Sequence, residues 1–258
     1  MKIYQLYFLY VSILFCSCNN DAGKKSGKIV KKQLIVLKDT VKLSTILNER
    51  IKSDTSSLEK IFKEFGLIDI NSVDSTIKVD LRYADTNNFL KLNMYGGLRK
   101  AYMPHDVAVH LQKAQDSLKR IHPNYSLIVF DAARPFWIQK LMWDSLDMPP
   151  DIKFAYVSPP FNISLHNYGC AIDLSIIDVN GNKLLDMGTD FDFFGKLSQP
   201  VCEAYYFNKG ELSQEAWDNR KLLRKVMMQA RFYPINSEWW HFNFCNKEFA
   251  AANYKLIK

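Results

Sequence analysis

At 258 residues, 48% hydrophobic and 24% charged, the chain is long enough and apolar enough for one substantial domain, which excludes a wholly disordered protein. Its formal charge of +7 comes from scattered lysines, with a small excess near the N-terminus. No basic stripe is interleaved with aromatics, so the pattern excludes a nucleic-acid binder.

The first eighteen residues stand apart from any core. "MKIYQLYFLYVSILFCSC" carries one early lysine and an apolar run from Leu6 to Phe15. The run is too short to span a bilayer and matches the apolar region of a secretory signal. It ends in "FCSC", which resembles a bacterial lipobox with Phe15 where leucine is usual and Cys18 as the lipidated residue. A plain signal peptide and an uncleaved anchor are the alternatives. Asn19 follows the cysteine where no aspartate stands, which favours the outer membrane under the sorting rule of some bacteria. Residues 19–57 read as a tether and lead-in, because "NNDAGKKSGKIVKKQ" is polar, basic and poor in aromatics. A lipid plus a basic tether holds a protein at an anionic surface, so the expected location is the cell envelope. Cys170, Cys202 and Cys245 remain beyond the signal, with no CxxC pair, and read as free thiols.

From residue 58 to 258 the pattern is that of one domain. "STIKVDLRYA" (75–84) reads as a strand. "DVAVHLQKAQDSLKRI" (106–121) reads as a helix with Val107, Leu111, Ala114, Leu118 and Ile121 on one face and "HPN" as its stop. "SLIVFDA" (126–132) is strand-like. In "RPFWIQKLMWDSL", Pro135 starts a helix whose apolar face is Phe136, Ile138, Leu141 and Met142. "FAYVS" (154–158) and "GCAIDLSII" (169–177) read as strands, and "DVNGNKLL" (178–185) carries a hairpin-type turn. Ser213 is the expected N-cap of a helix ending near Ala230, and "EWWHFNF" (238–244) is a last strand. This mixed order predicts an α+β domain with a central antiparallel or mixed sheet packed by helices.

Three short stretches carry chemistry. "ISLHNYGCAIDLSII" (163–177) puts His166 just upstream of Asp173, a carboxylate inside an apolar strand. Such a carboxylate needs a cation, donors or water, and a hydrogen-bonded turn or salt bridge would also satisfy it. "INSEWWHFNF" adds Glu238 three residues before His241. Two imidazoles and one carboxylate suit a zinc ion with a fourth position open, and the remaining carboxylate is then a candidate base. "VFDAARPFW" puts Arg134 at a strand end, where it would clamp a carboxylate or hold an oxyanion, or else pair with Asp131. His105, His110 and His122 read as surface or capping residues. Asn87 and Asn88 read equally well as loop braces or as a pocket wall, and one of the "EWWHF" tryptophans as lining the pocket.

These stretches resemble the D-alanyl-D-alanine dipeptidases, the zinc peptidases of the vancomycin-resistance type. "SLHNYGCAID" fits the S-x-H-x-x-G-x-A-x-D pattern, "EWWHF" the second metal segment and "DAARP" the arginine segment; "VDLRYADTNNFL" (79–90) and "DMGTDFDFFG" (186–195) also agree. The resemblance covers about residues 67–245 and implies one zinc ion held on the sheet by His166, Asp173 and His241. It implies Glu238 as the base that activates water and then protonates the leaving amine, and Arg134 as the stabiliser of the oxyanion. Ser164 falls near the substrate carboxylate, Asp192 near its free ammonium, and Gly169 at the glycine of the ligand turn. The implied substrate is D-alanyl-D-alanine or a similar D-amino-acid dipeptide. The resistance enzymes act in the cytoplasm, whereas the export signal here implies scavenging or peptidoglycan turnover in the envelope. The alternatives are a D,D- or L,D-carboxypeptidase on longer wall peptides and a non-catalytic zinc-containing binding lipoprotein.

Overall fold

The computed structural model describes residues 55–149, 153–154 and 157–258. All of them belong to one compact unit, Ser44–Lys258. The signal peptide, the lipidation site Cys18 and all but the last three tether residues lie outside the described residues.

The chain opens with helix α1 (Thr55–Glu64), which begins inside the expected tether and buries Leu58 and Phe62. Phe62 packs on Tyr102 with ring centroids 5.2 Å apart. Tyr102 lies in β3 (Tyr102–Met103), which pairs antiparallel with β1 (Ile68–Asp69). The expected strand over 75–84 shrinks to β2 (Lys78–Val79), followed by a 3-10 turn, Arg82–Ala84.

Helix α2 (His105–Ile121) buries Val107, Leu111, Ala114 and Leu118 as its periodicity predicts. Ile121 is the exception: as the last residue of the helix it is 40% exposed. Strand β4 (Tyr125–Asp131) leads to helix α3 (Phe136–Ser145), with Pro135 at its N-cap. The strand expected at 154–158 is absent among its described residues. Instead Lys153 N–H donates to Pro149 O and Val157 N–H to Lys153 O, helical-type bonds in a segment bounded by prolines.

Strand β5 (Ala171–Asp178) turns into β6 (Lys183–Leu184) at the predicted hairpin, pairing Ile177 with Leu184. Helix α4 (Glu203–Asn208) precedes α5 (Gln214–Gln229), whose N-cap Ser213 accepts from Ala216 N–H at 3.0 Å. The chain closes with β7 (Tyr233–Pro234), β8 (His241–Asn243) and helix α6 (Lys247–Asn253).

The main sheet has the order β2-β4-β5-β8-β7, with β6 on β5. The β2–β4 pair is parallel and the other pairs antiparallel, so the sheet is mixed and the class α+β, as expected. Alternation along the strands sends Leu127, Val129, Ile172, Leu174, Ile176 and Phe242 into the main core under α2 and α5. The opposite face carries Ile128, Phe130 and Ile177 in a smaller cluster, and on this face lies the site.

Candidate metal centre

Register across three strands builds the centre. Asp173 of β5 pairs with Asp131 of β4 on one side and with His241 of β8 on the other. Direct cross-strand partners share a face, so these side chains form a row. Asp131 joins the row only because the β4–β5 register shifts between Val129 and Asp131. Strict alternation would send Asp131 into the core with Leu127 and Val129; the irregularity re-aims it.

His166 arrives from outside the sheet, on a 3-10 turn, Leu165–Tyr168. Ser164 caps this turn: its Oγ accepts from His166 N–H at 3.3 Å, while Asn167 Oδ1 accepts from Ser164 N–H at 3.0 Å. Gly169 ends it at φ +69°, and a Cβ there would stand 2.9 Å from Pro104 Cδ. A side chain at this position would crowd Pro104, and the left-handed conformation also favours glycine. Two bonds sew the turn to the arginine segment: Arg134 N–H donates to His166 O at 2.9 Å, and Asn167 Nδ2 to Arg134 O at 2.8 Å.

His166, Asp173 and His241 converge. His166 Nδ1–H donates to Ala132 O at 2.7 Å, which leaves Nε2 with its lone pair toward the site. His241 Nε2–H donates to Asn243 Oδ1 at 2.8 Å, which leaves Nδ1 facing the same point. Those two nitrogens lie 3.2 Å apart, and Asp173 Oδ1 lies 3.4 Å from the first and 2.9 Å from the second. Three acceptor atoms thus meet with their ring protons turned away. A tetrahedral zinc shell has edges of about 3.3 Å, so the set fits one zinc ion in both donor type and spacing.

The surroundings bias the charges. Burial alone would raise the Asp173 carboxyl, but His166 and His241 outweigh it and hold the group well below the usual carboxylate range. Glu238, 3.9 Å from His241, is pushed up to about 8 by burial, with Asp173 adding to the rise and His241 opposing it. Arg134 is buried, and although burial opposes its charge, Asp131 holds it firmly protonated. Its Nε and Nη2 donate to Asp131 Oδ2, the former at 2.9 Å, and its Nη1 donates to Gln139 Oε1 at 2.6 Å. Asp131 also accepts from Tyr95 OH at 2.6 Å. Arg134 Nη2 still lies 3.7 Å from Asp173 Oδ2, so pairing with Asp131 and facing the centre are both true.

Asp192 reaches the site from the 186–194 loop with φ +62°, and both its oxygens accept from Tyr83 OH, at 3.1 and 3.2 Å. Burial, then Asp173, raises its carboxyl to about 8. Arg134, His166, Asp173, Asp192, Glu238 and His241 line one pocket of about 230 Å³, along with Ser164 and Trp240. Every site residue expected in the described part of the chain is therefore brought to one place.

Several neighbours had no sequence signal. Tyr83 sits in the "LRYADTNNF" segment, where the asparagines drew attention; Asn88 instead braces the loop, donating to Arg82 O, Asp85 O and Leu92 O. Asn87 and Asn88 lie away from this pocket. Asp131, Gln139, Asn243 and Lys247 were missed as site residues. Asn243 was legible in principle, two positions after His241 and thus on the same strand face. Trp240 is the tryptophan that lines the pocket, whereas Trp239 donates to Thr189 Oγ1 at 2.8 Å. His110 caps α5 through Ala230 O at 3.0 Å, and His122 stacks on Tyr125, so these histidines are structural. Cys170 is buried, Cys202 and Cys245 are partly so, and all three are free.

Comparison with known proteins agrees with the sequence motifs. Residues 63–257 match the D-Ala-D-Ala dipeptidase family. A D-alanyl-D-alanine dipeptidase of Escherichia coli (strain K12) is 30% identical over 191 residues, 74% of this chain and 89% of that protein. One from Enterococcus faecium is 24% identical over 196 residues, 69% of this chain and 91% of that protein. Among solved structures, a vancomycin-resistance D,D-pentapeptidase in complex with Zn(II) is 15% identical, with a TM-score of 0.36 over 59% of this chain and 78% of that one.

Proposed function

The chain belongs to the D-Ala-D-Ala dipeptidase family and is a metallopeptidase; from that premise we propose that it uses one zinc ion to hydrolyse D-alanyl-D-alanine or a similar D-amino-acid dipeptide. The observation that carries this reading is the convergence of one ligand-type atom each from His166, Asp173 and His241, beside Glu238 and Arg134 in one small pocket. These three residues would hold the zinc. When bound, zinc supplies Lewis acidity and lowers the cost of deprotonating water.

The protein's own groups divide the remaining work. Glu238 takes the proton from the attacking water and returns it to the leaving nitrogen, so the amine departs neutral. Arg134 turns its guanidinium toward the carbonyl oxygen and stabilises the charge that develops there. Asp131 and Gln139 hold that fork before substrate arrives, so little reorganisation is needed. Asp192 and the Tyr83 hydroxyl receive the substrate's ammonium. An arriving cation would restore the ionised form that burial disfavours at Asp192. Ser164 lies in the same pocket with its Oγ accepting from His166 N–H, so it holds the ligand turn while facing the substrate.

Asp192 supports a dipeptide over a longer chain, because a free ammonium forms a charge-assisted pair with this carboxyl and an N-acylated nitrogen does not. The sequence supports action in the cell envelope, with a lipid on Cys18 as anchor and released wall dipeptides as substrate. The test is product analysis by mass spectrometry with zinc-loaded protein. D-Ala-D-Ala should be cut to D-alanine, N-acylated tripeptides should be cut far more slowly, and a chelator should stop both. A panel of D,D- and L,D-dipeptides left intact would refute the dipeptidase reading. Cys18→Ala should abolish lipid labelling in cells, and retained labelling would remove the proposed anchor.

A further inference from the structure

We propose that Lys247 is a specificity-determining residue that reads the C-terminal carboxylate of the substrate. The inference rests on the peptidase reading, but not on whether the substrate is a dipeptide or a longer peptide, since both end in a carboxylate.

Lys247 lines the pocket that contains Glu238 and the three clustered acceptor residues. It is the first residue of α6, six positions after His241, and its placement is set by rigid neighbours. Phe244 N–H donates to Cys170 O at 2.8 Å, extending the β5–β8 pairing past the strand end. Asn246 then caps the helix, its Oδ1 accepting from Phe249 N–H at 2.8 Å. The Lys247 ammonium donates to Asn162 Oδ1, two residues before Ser164.

Among the described residues no carboxylate forms an ion pair with this cation. Some lysines on the surface do pair, as Lys140 does with Asp144 and Lys221 with Asp218. Lys247 bonds a neutral amide instead. Partial burial lowers its pKa, and Glu248 opposes that.

The pocket offers two unlike recognition groups. Asp192, from the 186–194 loop, and Tyr83, from the Arg82–Ala84 turn, form a hydrogen-bonding wall that an ammonium would ionise. Lys247 supplies a cation to the lining and is tied through Asn162 to the segment just before the His166 turn. A small zwitterion has a charge for each, and a cation without an ion-paired acid gains most from a carboxylate that supplies one.

The test compares D-Ala-D-Ala with D-Ala-D-alaninamide, whose C-terminus is neutral, on zinc-loaded wild type, Lys247→Met and Lys247→Arg. Wild type should favour the acid. Lys247→Met should lower kcat/KM for the acid about ten-fold, mainly through KM, the loss expected for one charge-assisted contact at a partly exposed site. It should leave the amide unchanged, and Lys247→Arg should keep most of the preference. Equal losses on both substrates, or none on the acid, would overturn the assignment while leaving the peptidase reading intact. A wild type that cuts neither substrate would overturn the dipeptidase reading, and the same comparison on an N-acetylated tripeptide and its amide then decides this assignment by the same acid preference and its loss in Lys247→Met. Since Lys247 is exposed, melting temperatures of the variants should match wild type, which separates a recognition defect from a folding defect.

Discussion

Replacing Asp131 by asparagine should damage this protein through a residue that contacts no substrate. The Asp131 carboxylate has no exposed surface and accepts from Arg134 Nε at 2.9 Å, from Arg134 Nη2, from Tyr95 OH at 2.6 Å and from Ala132 N–H at 2.9 Å. The substitution would keep the volume, remove the charge and turn an amide group toward these donors. The Arg134 guanidinium, itself buried, would lose its main counter-charge. Breaking a buried pair by removing one partner costs about 3–5 kcal/mol. For a domain of this size that is a fall of roughly 6–20 °C in melting temperature. Thermal melts of Asp131→Asn, Arg134→Met and the double variant measure it. The singles should each be costly, and the double should cost at least about 1 kcal/mol less than their sum, because neither charge is then stranded. With activity as a second readout, Asp131→Asn should lower kcat more than it raises KM, since the arginine fork is no longer aimed. A loss under about 1 kcal/mol, or singles that add within about 0.5 kcal/mol, would refute the view that Asp131 and Arg134 act as one buried unit.

Glu238→Gln should leave zinc stoichiometry unchanged while lowering kcat about 10²–10⁴-fold, and near-normal turnover would remove Glu238 from the role of base. Asn243→Ala should weaken zinc binding about 10–100-fold in a chelator competition, because the partner that fixes the His241 tautomer is lost; unaltered affinity would show that the strand alone orients the ring. In chelator-treated protein, Asp192, raised to about 8, keeps its proton in the folded state between about pH 4 and 8 whereas the unfolded chain releases it. The folded state then binds more protons, so stability should fall as pH rises across that window. Asp192→Asn should flatten the profile, and an unchanged slope in urea melts at several pH values would refute the contribution.

The three residues of the cluster, Glu238 and Arg134 could be singled out in the sequence because each lies in a short local motif. His166, Ser164 and Gly169 belong to one turn whose caps are near neighbours, and Glu238 and His241 are three residues apart. Helix α5 was readable from its N-cap to its end for the same reason. The strand expected at 154–158 failed where flanking prolines and i-to-i−4 bonds overrode β-propensity, and Ile121 failed where a periodic pattern ran to the last residue of its helix.

Chemistry that depends on which strands lie side by side was not available from local pattern. No spacing could tell that Asp131, Asp173 and His241 form a row, since that rests on the order β4-β5-β8 and on a register shift beside Asp131. Nor could it show that Tyr83 meets Asp192 across 109 positions of chain, or that the Lys247 ammonium bonds the Asn162 amide across 85. Residue type and short-range spacing determine what a group can do; long-range pairing decides which groups meet, because the side chain a strand turns toward a site is set by the partner strand's register.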